Sequence, residues 1–263
     1  MDLQLDKKTA LVTGSTAGIG NAIATSLARE GASVIVNGRT QAAVDAAVDK
    51  IRSETGGEAL GFAADLSLAA AAEALVRKFP TVDILVNNLG IFEVRAFEDI
   101  GDADWQRFFD VNVLSGVRLA RLYLPQMRAR NWGRIIFISS ESGYQIPAEM
   151  IHYGMTKAAQ IAVARGLAEL TAGSNVTVNT VLPGPTRSRG VGEFVVEMAA
   201  AAGKTPAEVE REFFKTARPT SLLQRFAAPD EVAALVTYVA SPRSSATNGA
   251  ALRVDGGVIK TAF

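Results

Sequence analysis

The chain has 263 residues, 48% of them apolar, with 27 basic side chains balanced by 27 acidic ones. That length suits one large α/β domain with an extended core, and the charge balance leaves no field to draw in nucleic acid or an anionic membrane. The absence of cysteine and the single histidine, His152, exclude a disulfide scaffold, a thiolate nucleophile and a Cys- or His-rich metal site, and suit a reducing compartment.

The opening residues "MDLQLDKKTALVTGS" place acidic side chains ahead of a short apolar run, unlike a secretory signal, and no later run reaches bilayer length. A soluble cytoplasmic protein is expected. The first strand is predicted over 9–14, "TALVTG". It runs into "TGSTAGIG" (13–20) and the helical "IGNAIATSLAREG", which closes on a glycine suited to a helix C-terminus. Gly14, Gly18 and Gly20 are spaced differently from the G-x-G-x-x-G fingerprint, yet the physical parts agree. A tight turn allows close backbone approach, and the helix end presents free N–H groups that favour a pyrophosphate.

The second strand, "SVIVNG" (33–38), ends where an acidic residue would bind the adenosine ribose hydroxyls. This chain has Gly38 there, then Arg39, whose planar donor fork suits a 2′-phosphate. Asn37 and Thr40 are candidate further donors. NADP(H) is therefore expected over NAD(H), with NAD(H) as the alternative.

Strands are next predicted over 59–64 and 83–88, and "RARNWGR" (128–134) reads as a solvated basic helix end. The fifth strand (134–139) leads into "FISSESG". Ser139 and Ser140 thus stand at a strand end, where open α/β sheets bind ligands. If "IHYGMTKAA" (151–159) is helical, Tyr153 and Lys157 share one face at i, i+4. An ammonium beside a phenol favours the phenolate and lowers its pKa, so the tyrosine is a candidate acid/base at a carbonyl or alcohol oxygen. His152 points about 100° away and is expected to pack instead of react.

The last strands are predicted over 176–182 and 250–256. From Ser188 to Ala227 roughly 40 residues intervene, against a usual loop of about 4–6. They include two amphipathic runs, "GEFVVEMAAAAG" and "PAEVEREFFKTA", with Gly190, Gly192 and Gly203 as candidate hinges. A substrate lid over 188–227 is expected, with packing against another subunit as the alternative. Several apolar runs are nearly continuous, as strands covered on both faces require, and they alternate with helices throughout. The expected architecture is a single α/β domain (1–263): a doubly wound, mainly parallel, seven-stranded Rossmann-like sheet with helices on both faces and a helical lid.

"TGSTAGIG", "DILVNNLG", the asparagine of "FFDVNVLSG", "ISSESG", "YGMTK" and "VLPGPTRS" occur in the order of the short-chain dehydrogenase/reductase family. The chain resembles that family's single-domain branch over essentially its whole length. The resemblance implies hydride transfer between a nicotinamide and a carbonyl or secondary alcohol. On it, Tyr153 is the acid/base, and Lys157 binds the nicotinamide ribose and lowers the tyrosine's pKa. Ser140, thirteen residues before the tyrosine, holds the substrate oxygen in preference to Ser139. Asn112 keeps a water in contact with the lysine. Gly14, Ser15, Gly18, Ile19 and Gly20 form the pyrophosphate loop. Asp65 and Leu66 contact adenine, Asn88 the cofactor, and Pro183, Gly184 and Ser188 embrace the carboxamide.

Three departures stand out: Leu89 for the usual alanine, beside the cofactor channel; Ser188 for threonine; and "KFPTVD" for a longer turn. Pocket candidates are Glu141, Tyr144, Ile146, Met150, Phe194, Met198 and Leu222, a mixture suited to a mainly apolar ketone or alcohol with polar decoration. A homo-oligomer, tetramer or dimer, is implied, and the apolar ending "LRVDGGVIKTAF" would suit a buried terminus. The rival reading is a dinucleotide-binding regulatory or scaffold protein without catalysis. The intact Asn112, Ser140, Tyr153 and Lys157 argue against it.

Overall fold

The apolar runs rich in Val, Ile and Leu form seven strands in the computed structural model, which describes residues 1–262, the side chains of residues 189, 190, 193, 194 and 197 excepted. These are β1 (Thr9–Val12), β2 (Ser33–Gly38), β3 (Ala59–Ala63), β4 (Ile84–Asn87), β5 (Gly133–Ile138), β6 (Val176–Pro183) and β7 (Ala251–Val254). Every neighbouring pair is parallel, in the order β3-β2-β1-β4-β5-β6-β7. The order reverses between β1 and β4, and such a switch point opens a crevice at the carboxyl ends of the strands.

Alternating side chains of each strand feed two cores. Ala10, Val12, Val34, Val36, Ile84 and Val86 face one layer of helices: α1 (Gly18–Arg29), α2 (Gln41–Thr55) and α9 (Pro229–Ala240). Leu11, Ile35, Leu85, Ile135 and Phe137 face the other: α3 (Ala69–Lys78), α5 (Ser115–Ala129) and α6 (Ile151–Glu169). Burial on both faces is what made these runs continuously apolar. Between β4 and α5 lies α4 (Asp102–Phe109), and residues Asp110–Leu114 then widen into a π-helical turn.

The expected excursion after β6 holds two helices, α7 (Arg189–Ala202) and α8 (Pro206–Thr216). They share a core of their own: Val195, Ala199, Val209, Phe214 and Phe226. Gly192 lies inside α7 and is no hinge, whereas Gly203 ends that helix in the left-handed region at φ 62°. A capping box at Thr205 and Glu208 starts α8.

Arg134 differs from expectation in a way that matters for stability. Arg134 is buried, not solvated, because its guanidinium donates to the carbonyls of Gly133, Asn175 and Ser241 and so ties β5 to its surroundings. In the C-terminal tail, Val258 and Ile259 are buried against the chain itself.

His152 packs, as expected, but at a cost. It is fully buried, 4.0 Å between ring centroids from Phe108 and 6.1 Å from Trp105, both on α4. Neither ring nitrogen has a hydrogen-bond partner, and burial lowers its pKa, with Glu93, Arg95, Asp104 and Arg107 as the nearest charges. A histidine held neutral in this way gives its full contribution above its unfolded pKa, about 6.5. Below that value the unfolded state binds the extra proton, so stability falls as pH drops toward the lowered folded pKa, by up to about 1.4 kcal/mol per unit. His152→Leu is expected to add about 1–3 kcal/mol, the desolvation penalty of the orphaned nitrogens. It should also flatten the dependence of melting temperature on pH between about 6.5 and the folded pKa. Parallel thermal melts of both proteins over that range test this.

Candidate active site

The glycine turn is shaped by contacts that leave it no room for side chains. Gly14 has φ 60°, and a Cβ there would sit 3.3 Å from the Leu89 Cα. At Gly20 a Cβ would lie 2.5 Å from both the Asn88 Nδ2 and the Gly14 carbonyl oxygen. Asn88 clamps the turn by donating to the carbonyls of Thr13 and Gly14 at 2.9 and 3.0 Å. The first intrahelical bond of α1 runs from the Asn21 N–H to the Ala17 carbonyl, so the amides of Gly18, Ile19 and Gly20 point out of the helix end. No side chain caps that end and no acid lies in its first turn. Beside it, Ala17, Gly18, Ile19, Gly20, Gly90 and Ser188 line a cavity of about 260 Å³. These features fit an anionic diphosphate.

Ser15 takes part in this loop from beneath. Its hydroxyl donates to the Val12 carbonyl and accepts from the Asn37 N–H, and its own N–H donates to the Asn37 carbonyl. Asn37 is likewise engaged: Nδ2 donates to Phe62 and Ala64, and Oδ1 accepts from Gly14. Asn37 therefore braces the loop and has no donor left for a phosphate, contrary to expectation. Thr40 caps α2. Arg39 is exposed at the loop's edge. Thr16, which sequence reasoning missed, sits over Gly38, its methyl 2.4 Å from where a Cβ would stand. A side chain at 38 would therefore require Thr16 to shift. Asp65 is exposed and accepts from the N–H and hydroxyl of Ser67, while the Leu66 side chain is in the core. Leu89 is half-buried against the core, with its Cδ1 3.6 Å from where a Gly14 Cβ would stand, beside the glycine turn.

At the carboxyl end of β5, Ser139 and Ser140 both border the cleft. Ser139 donates to the Lys157 carbonyl at 2.7 Å, which occupies its proton. Ser140, on the opposite face, accepts from the Ser142 N–H at 3.1 Å and lines the cleft together with Tyr153. One turn along α6, Lys157 places its Nζ 5.5 Å from the centre of the Tyr153 ring, and donates to the Ile138 carbonyl at 2.9 Å and to Gln160 Oε1 at 3.1 Å. Asn112, in the π-helical turn, grips the strand-end loop through Ile91 and reaches Thr156 on α6. Ser140, Tyr153, Lys157 and Asn112 therefore converge, as their sequence positions suggested.

The electrostatics differ from expectation. Burial pushes the Tyr153 phenol up to about 12; the Ser140 hydrogen bond pulls it down, Glu141 pushes it up and Arg218 pulls it down. Burial likewise pushes Lys157 down to about 7. Desolvation is the leading cause at both groups.

Tyr153 and Ser140 open onto a cleft of about 970 Å³ between the strand ends and α7–α8. Glu141, Met150 and Met198 line it as expected. Tyr144, Ile146 and Leu222 are exposed and lie off the cleft, Leu222 packing over Gly257. The Phe194 side chain lies outside the described residues. Phe92, Glu149, Phe213 and Arg218 complete the wall and carried no local signal, since each arrives from a distant segment. Arg218 is buried and donates to Glu141 Oε1 at 2.9 Å and to Glu149 Oε1 at 3.3 Å. It thereby ties the end of the excursion to the serine turn.

A doubly wound parallel sheet with a glycine turn suited to a diphosphate at its switch point, and a Ser–Tyr–Lys cluster at the neighbouring strand end, is the arrangement of a dinucleotide-dependent oxidoreductase. A sequence model of the family described as short chain dehydrogenase matches residues 8–199. The chain is 50% identical over 264 aligned positions to the uncharacterized oxidoreductase YvaG of Bacillus subtilis, covering 100% of both proteins. It is 37% identical to D-beta-hydroxybutyrate dehydrogenase of Cupriavidus necator, covering 96% of this chain and 98% of that one. Among solved structures, L-sorbose reductase from Gluconobacter frateurii, complexed with NADPH and L-sorbose, superposes with a TM-score of 0.93 at 31% identity, covering 99% and 100%. The chain is an oxidoreductase of the short-chain dehydrogenase/reductase family. No helix among its described residues is long and apolar enough to cross a membrane.

Proposed function

We propose that the protein is an NADP(H)-dependent carbonyl reductase whose proton donor is Tyr153. The observation that carries this is the convergence of Ser140, Tyr153 and Lys157 on a cleft that Ser188 and Gly90 share with the cavity at the glycine turn. When bound, the cofactor would supply a hydride from its nicotinamide. The amides of Gly18, Ile19 and Gly20 would hold its diphosphate, Arg39 its 2′-phosphate and Lys157 its ribose, with Asp65 at the adenine and Pro183, Gly184 and Ser188 near the carboxamide.

The protein's part in the reaction is to place an oxygen and protonate it. Ser140 donates a hydrogen bond to the substrate oxygen, and Tyr153, held protonated by burial, delivers the proton as that oxygen gains charge. With its pKa pushed up to about 12, the phenol carries its proton near neutral pH, as a group that protonates a carbonyl oxygen must. The apolar wall of Phe92, Met150 and Phe213, with Arg218, Glu141 and Glu149 beside it, suits a ketone with a carbon skeleton on one side and hydroxyls on the other. The α7–α8 segment acts as a lid over it.

Titration of the purified protein with NADPH and NADH in parallel, followed by a panel of aliphatic, cyclic and polyhydroxy ketones, tests this reading. NADPH binding at least tenfold tighter and reduction of one panel class are expected. Tight binding without turnover of any panel member would favour the regulatory alternative.

A further inference from the structure

Gln160 stands three residues beyond Lys157 on α6, is 1% exposed, and belongs to none of the motifs that carry the family resemblance. Its two ends make different bonds. Oε1 accepts from Lys157 Nζ at 3.1 Å, and Nε2 donates to the main-chain carbonyl of Asn112 at 2.6 Å. The orientation is set by chemistry, since reversal would face an NH₂ group to an ammonium and a carbonyl to a carbonyl. We propose that Gln160 is a positioning residue that clamps Lys157 to the Asn112 turn and leaves one ammonium N–H for the cleft. This rests on the function proposed above.

The count of donors supports it. An ammonium has three N–H groups; the Ile138 carbonyl takes one and Gln160 a second. The third is left on the side of Gly90, where an added Cβ would lie 3.5 Å from Nζ and 3.4 Å from Asn112 Oδ1. Lys157 lines the cleft and Gln160 does not, so Gln160 acts from behind. The connection from Lys157 to the Asn112 carbonyl runs through the Gln160 side-chain amide. The amide is also neutral. It orients the lysine without adding the negative charge that would fix it as a cation, and burial then brings Lys157 down to about 7.

Tyr153 is on the same helix as Lys157, and Glu93, Glu141, Glu149, Lys204, Glu212 and Arg218 line the same cleft among the described residues. Asp110, on the Asn112 turn, faces Arg118 at 3.8 Å instead. A carboxylate at 160 would therefore be the dominant new influence on the lysine.

The test follows the Lys157 side-chain resonance through a pH titration in the wild type, Gln160→Glu and Gln160→Met, assigned by its loss in Lys157→Met. NADPH affinity is measured alongside. Gln160→Glu, nearly the same shape, is expected to raise the Lys157 midpoint by about one to three units. Gln160→Met should lower the midpoint and weaken NADPH binding about tenfold, as loss of one hydrogen bond to a charged group implies. An unchanged midpoint in both variants would overturn the inference and leave Gln160 a packing residue. A wild type that does not bind NADPH would instead overturn the proposed function, while the lysine titration would still decide the role of Gln160.

Discussion

Tyr153→Phe is expected to lower kcat by about 10² to 10⁴-fold, the range that positioned proton transfer supplies, while leaving NADPH affinity largely unchanged. The ring stays and only the hydroxyl goes. Its contact with Phe92, edge to face at 6.5 Å between centroids, survives, so the fold and the cleft wall persist. Ser140 would still hold the substrate oxygen, and its hydroxyl also accepts from the Ser142 N–H at 3.1 Å, which keeps it in place. The loss should therefore fall on kcat with little change in KM. Steady-state kinetics on whichever ketone the panel identifies, with cofactor binding measured separately, decide the matter. Retention of more than a tenth of wild-type kcat would remove Tyr153 from the role of proton donor.

Arg39→Ala is expected to weaken NADPH by about 10- to 150-fold, corresponding to the roughly 1.5–3 kcal/mol of a hydrogen bond to a charged group, and to leave NADH nearly unaffected. The discrimination has two parts. On the proposed function, Arg39 would supply the attraction for a 2′-phosphate, and an acid at 38 would have to displace the Thr16 methyl. Gly38→Asp should accordingly fail to convert the protein cleanly to NADH, because its Cβ would start 2.4 Å from the Thr16 methyl. Calorimetric titration of each variant with both dinucleotides gives the answer. Equal losses for NADPH and NADH in Arg39→Ala would mean that Arg39 does not read the phosphate.

Much of this molecule was legible in its sequence, for reasons that can be located. All seven strands fall within two residues of the apolar runs, because a parallel sheet buried on both faces leaves almost no position free to be polar. Gly14 and Gly20 announced the diphosphate turn because a left-handed backbone and a 2.5 Å clearance admit no other residue. Tyr153 and Lys157 share a face through the helix period alone. In each case the determining physics acts within a few residues.

The tertiary structure decided what depends on groups brought from far along the chain. Ser140 was separated from Ser139 because folding spends the Ser139 hydroxyl on the Lys157 carbonyl. Asn37 looked like a phosphate donor and proved to be a brace, because strand β3 brings two carbonyls to its amide. The phenol expected to be low is high, since burial is a property of the assembled cleft and not of a pair at i, i+4. Arg218 reaches Glu141 across 77 positions, and Gln160 reaches Asn112 across 48. The sequence by itself determined the sheet, the glycine turn and the placing of Tyr153 and Lys157 on one helix face, because local backbone geometry and two-faced burial dictate them. The protonation states, the shape of the cleft and the clamp behind Lys157 were decided by folding, because desolvation and long-range hydrogen bonds exist only once distant segments meet.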